Sequence, residues 1–213
     1  MAIAYFSQKI NVSKHSRIED SMELAPWREP LAHALHRNRS LKYSRYFQLA
    51  TVGNDGSPAN RTVVFRGFVE NTNQLKIITD TRSQKVRQIE RNPSGEACWY
   101  FPKTREQFRF SGKLTLITAS SSDPILSSER RNTWQDISDN ARSQFFWPSP
   151  GQSRADASEF APPEVFPEEP PAEFCLLLLE PEHVDRLELR GEPQNRYLYW
   201  REENNWLTQA VNP

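Results

Sequence analysis

The chain has 213 residues, and its 27 basic residues balance 27 acidic ones, so a general affinity for nucleic acid or for an anionic membrane is not indicated. The length suits a single domain over 1–213 with room for an arm. The longest apolar run, Cys175-Leu176-Leu177-Leu178-Leu179, is far too short to cross a bilayer, and Met1 to Phe6 lacks the charged start and long apolar core of a signal peptide; a soluble cytoplasmic protein is expected.

Residues 1–20 are polar and poorly patterned and read as an arm. Trp27, Leu31, Ala34 and Leu35 then fall on one helical face, which predicts a helix ending near Ser40. The period changes at Tyr46 to Val52, a strand, followed by Asn54-Asp55-Gly56, a hairpin signal because these residues tolerate positive φ. A return strand runs from Asn60 to Phe68, and another from Leu75 to Thr79 after a polar turn. Thr81 with Gln84 three residues on forms a capping-box pattern for a helix that buries Val86 and Ile89 and stops at Asn92-Pro93. Glu96 to Phe101 and Phe108 to Leu116 are strands, the second with a bend at Gly112. Asp123-Pro124 opens a helix reaching about Ile137, with a short helical piece from Asp139 to Phe145. Pro148 to Pro171 holds many of the sixteen prolines and reads as a surface loop. Phe174 to Glu180, Val184 to Leu189 and Arg196 to Arg201 are further strands, and Leu176 to Leu179 suits a central strand buried on both faces. The sum is a mainly β fold, antiparallel strands with a few inserted helices, closed or partly closed into a barrel. Cys98 and Cys175 lie in apolar strand-like runs and read as buried free thiols.

Chemistry concentrates between Arg61 and Gly112. Ser83, Gln84 and Lys85 fall in the first turn of a helix, where unpaired N–H groups favour an anion, and Arg61 opens a neighbouring strand. Val63, Val64 and Phe65 can offer backbone groups to the edge of a heterocycle, Gln107 and Gln152 can donate amides to ring carbonyls, and Arg66 or Arg196 can stabilise an anionic ring. Taken singly, each feature also describes a surface helix with ordinary cations, or a core strand with exposed amides. His15, His33, His36 and His183 are scattered without acidic or thiol partners, so no metal site is expected, and Ser120-Ser121-Ser122 has no hydrolase setting.

The ordered set is more specific. Arg61-x-x-x-x-Arg66, Thr79 with Ser83-Gln84-Lys85, Asn92-Pro93, Gln107-x-Arg109-x-x-Gly112, Trp147 with Gln152-Ser153, and Asn195-Arg196-Tyr197-Leu198-Tyr199 before Trp206 and Pro213 together resemble the pyridoxamine 5′-phosphate oxidase family of FMN-binding split barrels. The resemblance covers the chain from about Tyr46 onward. It implies that Arg61 and Lys85 hold an FMN phosphate beside Ser83 and Gln84. Thr62, Val63 and Val64 would contact the isoalloxazine through their backbone, with Arg66 near the ring and Thr79, Gln107, Gln152, Ser153 and Arg196 at further FMN-contacting positions. It also implies a homodimer with FMN at the interface, and an oxidoreductase whose substrate gives a hydride or electrons to the flavin.

The departures matter equally. Gln84 stands where the family commonly has arginine, leaving Arg82 as the nearest substitute cation, and Arg66 stands where it usually has lysine. The Arg-x-His pair that grips a phosphorylated substrate in true pyridoxamine phosphate oxidases reads Glu192-Pro193-Gln194, and the family's near-terminal arginine is missing from Ala210-Val211-Asn212-Pro213. This chain therefore looks like a divergent branch. The alternative is an FMN-binding or flavin reductase-like protein that does not oxidise pyridoxamine 5′-phosphate. A third reading is a nucleic-acid-binding barrel with Phe108, Phe110, Tyr197 and Tyr199 as stacking platforms.

Overall fold

The structure, a computed structural model, describes residues 24–203 and 205–213, so the arm expected over residues 1–20 lies outside the described residues. Among the described residues, eight strands, β1 (Tyr46–Val52), β2 (Pro58–Val64), β3 (Leu75–Asp80), β4 (Ser94–Phe101), β5 (Glu106–Ile117), β6 (Phe174–Glu188), β7 (Asn195–Glu202) and β8 (Asn205–Val211), form one antiparallel sheet. The order is β2-β1-β4-β5-β6-β7-β8, with β3 joined to β6 off that path. The antiparallel split barrel expected from the sequence is the architecture found.

β6 makes the split. Its first half pairs with β3, from Leu75 opposite Leu179 to Asp80 opposite Phe174, and its second half pairs with β7, from His183 opposite Trp200 to Glu188 opposite Asn195. β5 runs along the other edge of both halves. The sequence pattern predicts two strands here, broken at Pro181; the structure has one strand of 15 residues. Pro181 lies opposite Gly112 where the β5–β6 register shifts, and this bulge accommodates the missing proline N–H without ending the ladder.

Period-2 alternation fills the barrel. Phe47 and Leu49 of β1, Ala97, Trp99 and Phe101 of β4, Phe108 and Phe110 of β5 and Val184 of β6 all point into one core. Leu177 and Leu179 join that core, while Leu176 and Leu178 pack with Val69 and Ile117 on the opposite face, so this stretch is buried on both sides. Helix α1 (Arg28–Asn38) seals the barrel with Leu31 and Ala34, and the preceding Trp27 meets Phe110 edge-on at 5.3 Å. Helix α2 (Gln84–Arg91) buries Val86 and Ile89. Helix α3 (Pro124–Asp136) is capped by Asp123, whose carboxylate accepts from the N–H groups of Ile125 and Leu126. A short helix α4 (Asp139–Ser143) and a 3-10 turn (Gln144–Phe146) follow, and Trp134, Phe145 and Phe174 form a separate aromatic cluster. Both cysteines are free, Cys98 half-buried and Cys175 buried.

The capping box expected at Thr81 does not form. The residue before α2 is Ser83, without a side-chain cap bond, and the Thr81 N–H instead donates to Glu173 O. Asp80 causes the delay: its Oδ1 accepts from the Arg82 N–H at 2.7 Å, closing a tight turn that postpones the helix.

A Cβ on Gly112 would lie 1.9 Å from Glu180 O, because the bulge presses the two backbones together. Gly112→Ala is expected to lower stability by about 2 kcal/mol or more, read from the urea midpoint. An unchanged midpoint would show that the bulge relaxes freely.

Candidate cofactor site

β2 ends the sheet, and the gap between it and β3 is bridged by backbone bonds only at its far end, where Arg66 N–H donates to Lys76 O and Lys76 N–H to Gly67 O. A cavity of about 530 Å³ occupies this split, walled by β2, β3, the turn before α2 and the segment after Trp147. Of the residues singled out from the sequence, Arg61, Thr62, Val63, Val64, Arg66, Thr79, Ser83, Lys85, Gln152 and Ser153 line it. Gln84, Gln107 and Arg196 do not: Gln84 sits in a neighbouring recess with Asn54, Arg87 and Gln88, and the other two lie on β5 and β7.

One end is cationic. Lys85 Nζ donates to Thr79 Oγ1 at 2.9 Å and Ser83 Oγ at 3.2 Å, so α2's first turn and β3 aim the ammonium into the cavity. Burial, then repulsion from Arg61, holds the Lys85 pKa below the ordinary lysine value, against opposing pulls from Asp80 and Cys175. Burial lowers the Arg61 guanidinium as well. Arg82 is not a third cation here. Its Nε and Nη2 are bound to Asp80, and its Nη1 donates to Trp147 O at 3.0 Å. The ion pair thus pins the start of the proline-rich segment to the end of β3. This role was illegible in the sequence, because it depends on where Trp147 returns.

The other end is an open strand edge. Phe65 N–H donates to Arg45 O at 2.8 Å, and antiparallel alternation then makes Val63 with Phe47 and Arg61 with Leu49 the hydrogen-bonded pairs. The backbone N–H and C=O of Thr62 and Val64 therefore turn to the free edge beside the cavity. Two buried donors on the wall, Arg66 Nε and Trp147 Nε1, find no partner among the described residues. Burial, then repulsion from Arg45, draws the Arg66 pKa down. A planar group with several acceptor atoms satisfies all of these donors, and a phosphate satisfies the cationic end.

The same segment adds two wall residues that sequence reasoning missed, Arg154 and Phe160: the Arg154 guanidinium lies 4.1 Å over the Phe160 ring, which Trp147, already part of the sequence motif, meets edge-on at 5.8 Å. Among the described residues no group of three or more histidines, cysteines or carboxylates could hold a metal ion. Phe108 and Phe110 are 0% exposed, which overturns them as nucleic-acid stacking platforms.

A forked antiparallel sheet with a cavity in its split defines a split barrel of the FMN-binding type. Residues 24–118 match the family model for the FMN-binding domain of pyridoxamine 5′-phosphate oxidase. The chain is 40% identical over 197 residues to pyridoxine/pyridoxamine 5′-phosphate oxidase 2 of Arabidopsis thaliana, covering 89% of this chain and 98% of that protein. Among solved structures, a pyridoxamine 5′-phosphate oxidase-related, FMN-binding protein of Nostoc punctiforme superposes with a TM-score of 0.85 at 59% identity, over 90% of this chain and 100% of that one. PhzG of Burkholderia lata, solved with tetrahydrophenazine-1-carboxylic acid, shares the fold at a TM-score of 0.69 and 18% identity, over 87% of this chain and 89% of that one. The protein belongs to the pyridoxamine 5′-phosphate oxidase-like FMN-binding family. Among the described residues no helix is long and apolar enough to cross a membrane.

Between residues 148 and 166 the segment over the cavity relies on its Arg82 latch at one end and on bonds from Trp134 Nε1 to Pro167 O and Arg130 to Pro171 O at the other. Arg82→Ala is expected to speed limited proteolysis within 148–166 by about tenfold, the loss of one charged hydrogen-bond set. Unchanged cleavage would show that the latch does not restrain the segment.

Proposed function

We propose that the protein is an FMN-dependent oxidoreductase related to pyridoxamine 5′-phosphate oxidase. The single observation that carries this reading is the cavity in the β2–β3 split, with half-buried Lys85 and Arg61 at one end and the unpaired edge of Thr62 and Val64 at the other. Lys85, Arg61, Thr79 and Ser83 would hold the phosphate. The Thr62 and Val64 backbone would meet the ring edge, with the donors of Arg66 and Trp147 on acceptor atoms of the ring. Bound there, FMN would supply two-electron chemistry, taking a hydride from a substrate and passing electrons to oxygen or another acceptor. The chain's own part is to orient the ring and keep water from one of its faces with Trp147, Phe160 and the segment between them.

Gln107 and Arg196 fit the same reading through a second copy of the chain. Thr62, Gln48, Cys98, Arg109, Asp185 and Leu198 stand in one cross-strand row on the outer face of the sheet. Gln107, Leu187 and Arg196 form the adjoining row on that face, near the exposed Tyr100. Two copies packed on it as a homodimer would lay Gln107 and Arg196 of the partner subunit against the cavity. In that arrangement Tyr100→Lys is expected to give a monomer by sedimentation and to weaken FMN binding. A monomer that binds FMN as tightly as the parent would refute the shared site.

The alternative, flavin binding without oxidation of a phosphorylated pyridoxamine, is favoured by Glu192 and Gln194, which sit in the β6–β7 turn where a cationic grip would be expected. An oxidase assay with pyridoxamine 5′-phosphate separates the two; robust turnover rejects the alternative, and no turnover by FMN-loaded protein supports it.

Purified protein is expected to carry or take up FMN, seen as flavin absorbance, and Lys85→Ala to weaken binding by about tenfold or more. The pH dependence has a definite sign. Lys85 is fully charged below its lowered pKa, so FMN binds without proton uptake there. Above it, the phosphate must draw a proton onto Lys85, and Kd rises with pH by as much as about tenfold per unit. The rise should start below the ordinary lysine range and vanish in Lys85→Arg.

A further inference from the structure

We infer that Gln88 and Thr51 are positioning residues that select phosphorylated flavin, by fixing Arg61 without neutralising it; this rests on the FMN reading above. Thr51, on β1, is only 3% exposed, and Gln88 reaches it from the middle of α2. Gln88 Oε1 accepts from Thr51 Oγ1 at 2.7 Å and from Arg61 Nη2 at 3.0 Å. Arg61 Nη1 donates to Thr51 Oγ1 at 2.6 Å and to Leu49 O at 3.2 Å. The three groups close a ring of hydrogen bonds behind the cavity wall.

The choice of donors sets the geometry. Both Nη1 hydrogens and one Nη2 hydrogen are engaged, which occupies the end of the guanidinium. The Nε–H and the remaining Nη2 hydrogen, which lie side by side, are left as a parallel fork, the arrangement that meets a phosphate through two bonds at once. Arg61 lies on the cavity wall, across from Lys85 and close enough to depress its pKa.

The choice of acceptors sets the charge. A carbonyl, a hydroxyl and an amide oxygen hold Arg61, and no carboxylate forms an ion pair with it among the described residues. Asp80, the carboxylate on the cavity wall, is bound to Arg82 instead. Arg61 therefore keeps its full charge for an incoming anion. A glutamate at position 88 would hold the same geometry and cancel that charge.

The test compares FMN with riboflavin, which shares the ring and ribityl chain but lacks the phosphate, by flavin fluorescence titration of the purified apoprotein. Gln88→Leu is expected to weaken FMN by about tenfold, the scale of one hydrogen bond to a charged group, and to leave riboflavin within about twofold. Gln88→Glu, which preserves size and an acceptor, is expected to weaken FMN at least as much, again sparing riboflavin, and to flatten the salt dependence of FMN binding. Equal losses for both flavins would assign Gln88 a merely structural role and overturn the inference. So would a Gln88→Glu protein that binds FMN like the parent, which also decides the matter if Gln88→Leu does not fold. A parent protein that binds no FMN, or binds riboflavin as tightly, rejects the cofactor reading itself.

Discussion

The forked pairing of β6 is the constraint from which the rest follows. One long strand cannot pair with β3 and β7 along the same edge at the same place, so each takes half of it. Taking β3 into the first half leaves β2, at the end of the other run of strands, without a partner along most of its outer edge. The barrel is thereby split, and the split is the cavity. The bulge at Gly112 and Pro181 keeps β6 continuous through the fork.

The site divides its cations by what holds them. Asp80 consumes the charge of Arg82 and uses it as a fastener, whereas neutral oxygens hold Lys85 and Arg61. Half-burying two like charges near each other is unfavourable, and burial first, then repulsion from Arg61, lowers the Lys85 pKa. The surrounding fold, with α2 anchored through Val86 and Ile89, keeps them in place nonetheless. An anion bound between them relieves this repulsion.

Much of this was legible from local pattern. The alternation of Tyr46 to Val52 and the turn at Asn54-Asp55-Gly56 specify the first hairpin, and Gly56 adopts the positive φ, 83°, that the turn needs. Arg61 to Val64 with Arg66, and Thr79 with Ser83 and Lys85, reach the cavity together because β2 and β3 flank the split. What the sequence hid depends on distant partners. Pro181 looks like a strand break until Gly112 is placed opposite it. Thr81 looks like a cap until Asp80 claims the turn, and the link from Gln88 to Thr51 and Arg61 exists only once α2 packs beside β1. Gln107 and Arg196 lie on β5 and β7, away from the cavity of their own chain, which local pattern does not reveal.

The open edge of β2 has a further consequence. An unpaired strand edge is a template for any other extended chain, and proteins generally cover or blunt such edges. Here the groups left unpaired at Thr62 and Val64 face the cavity and lie under the segment latched by Arg82. A flat ligand bonded along that edge does for the sheet what one more strand would do. On the FMN reading proposed above, the hydrogen bonds that hold the cofactor would also cover this edge against strand-to-strand association.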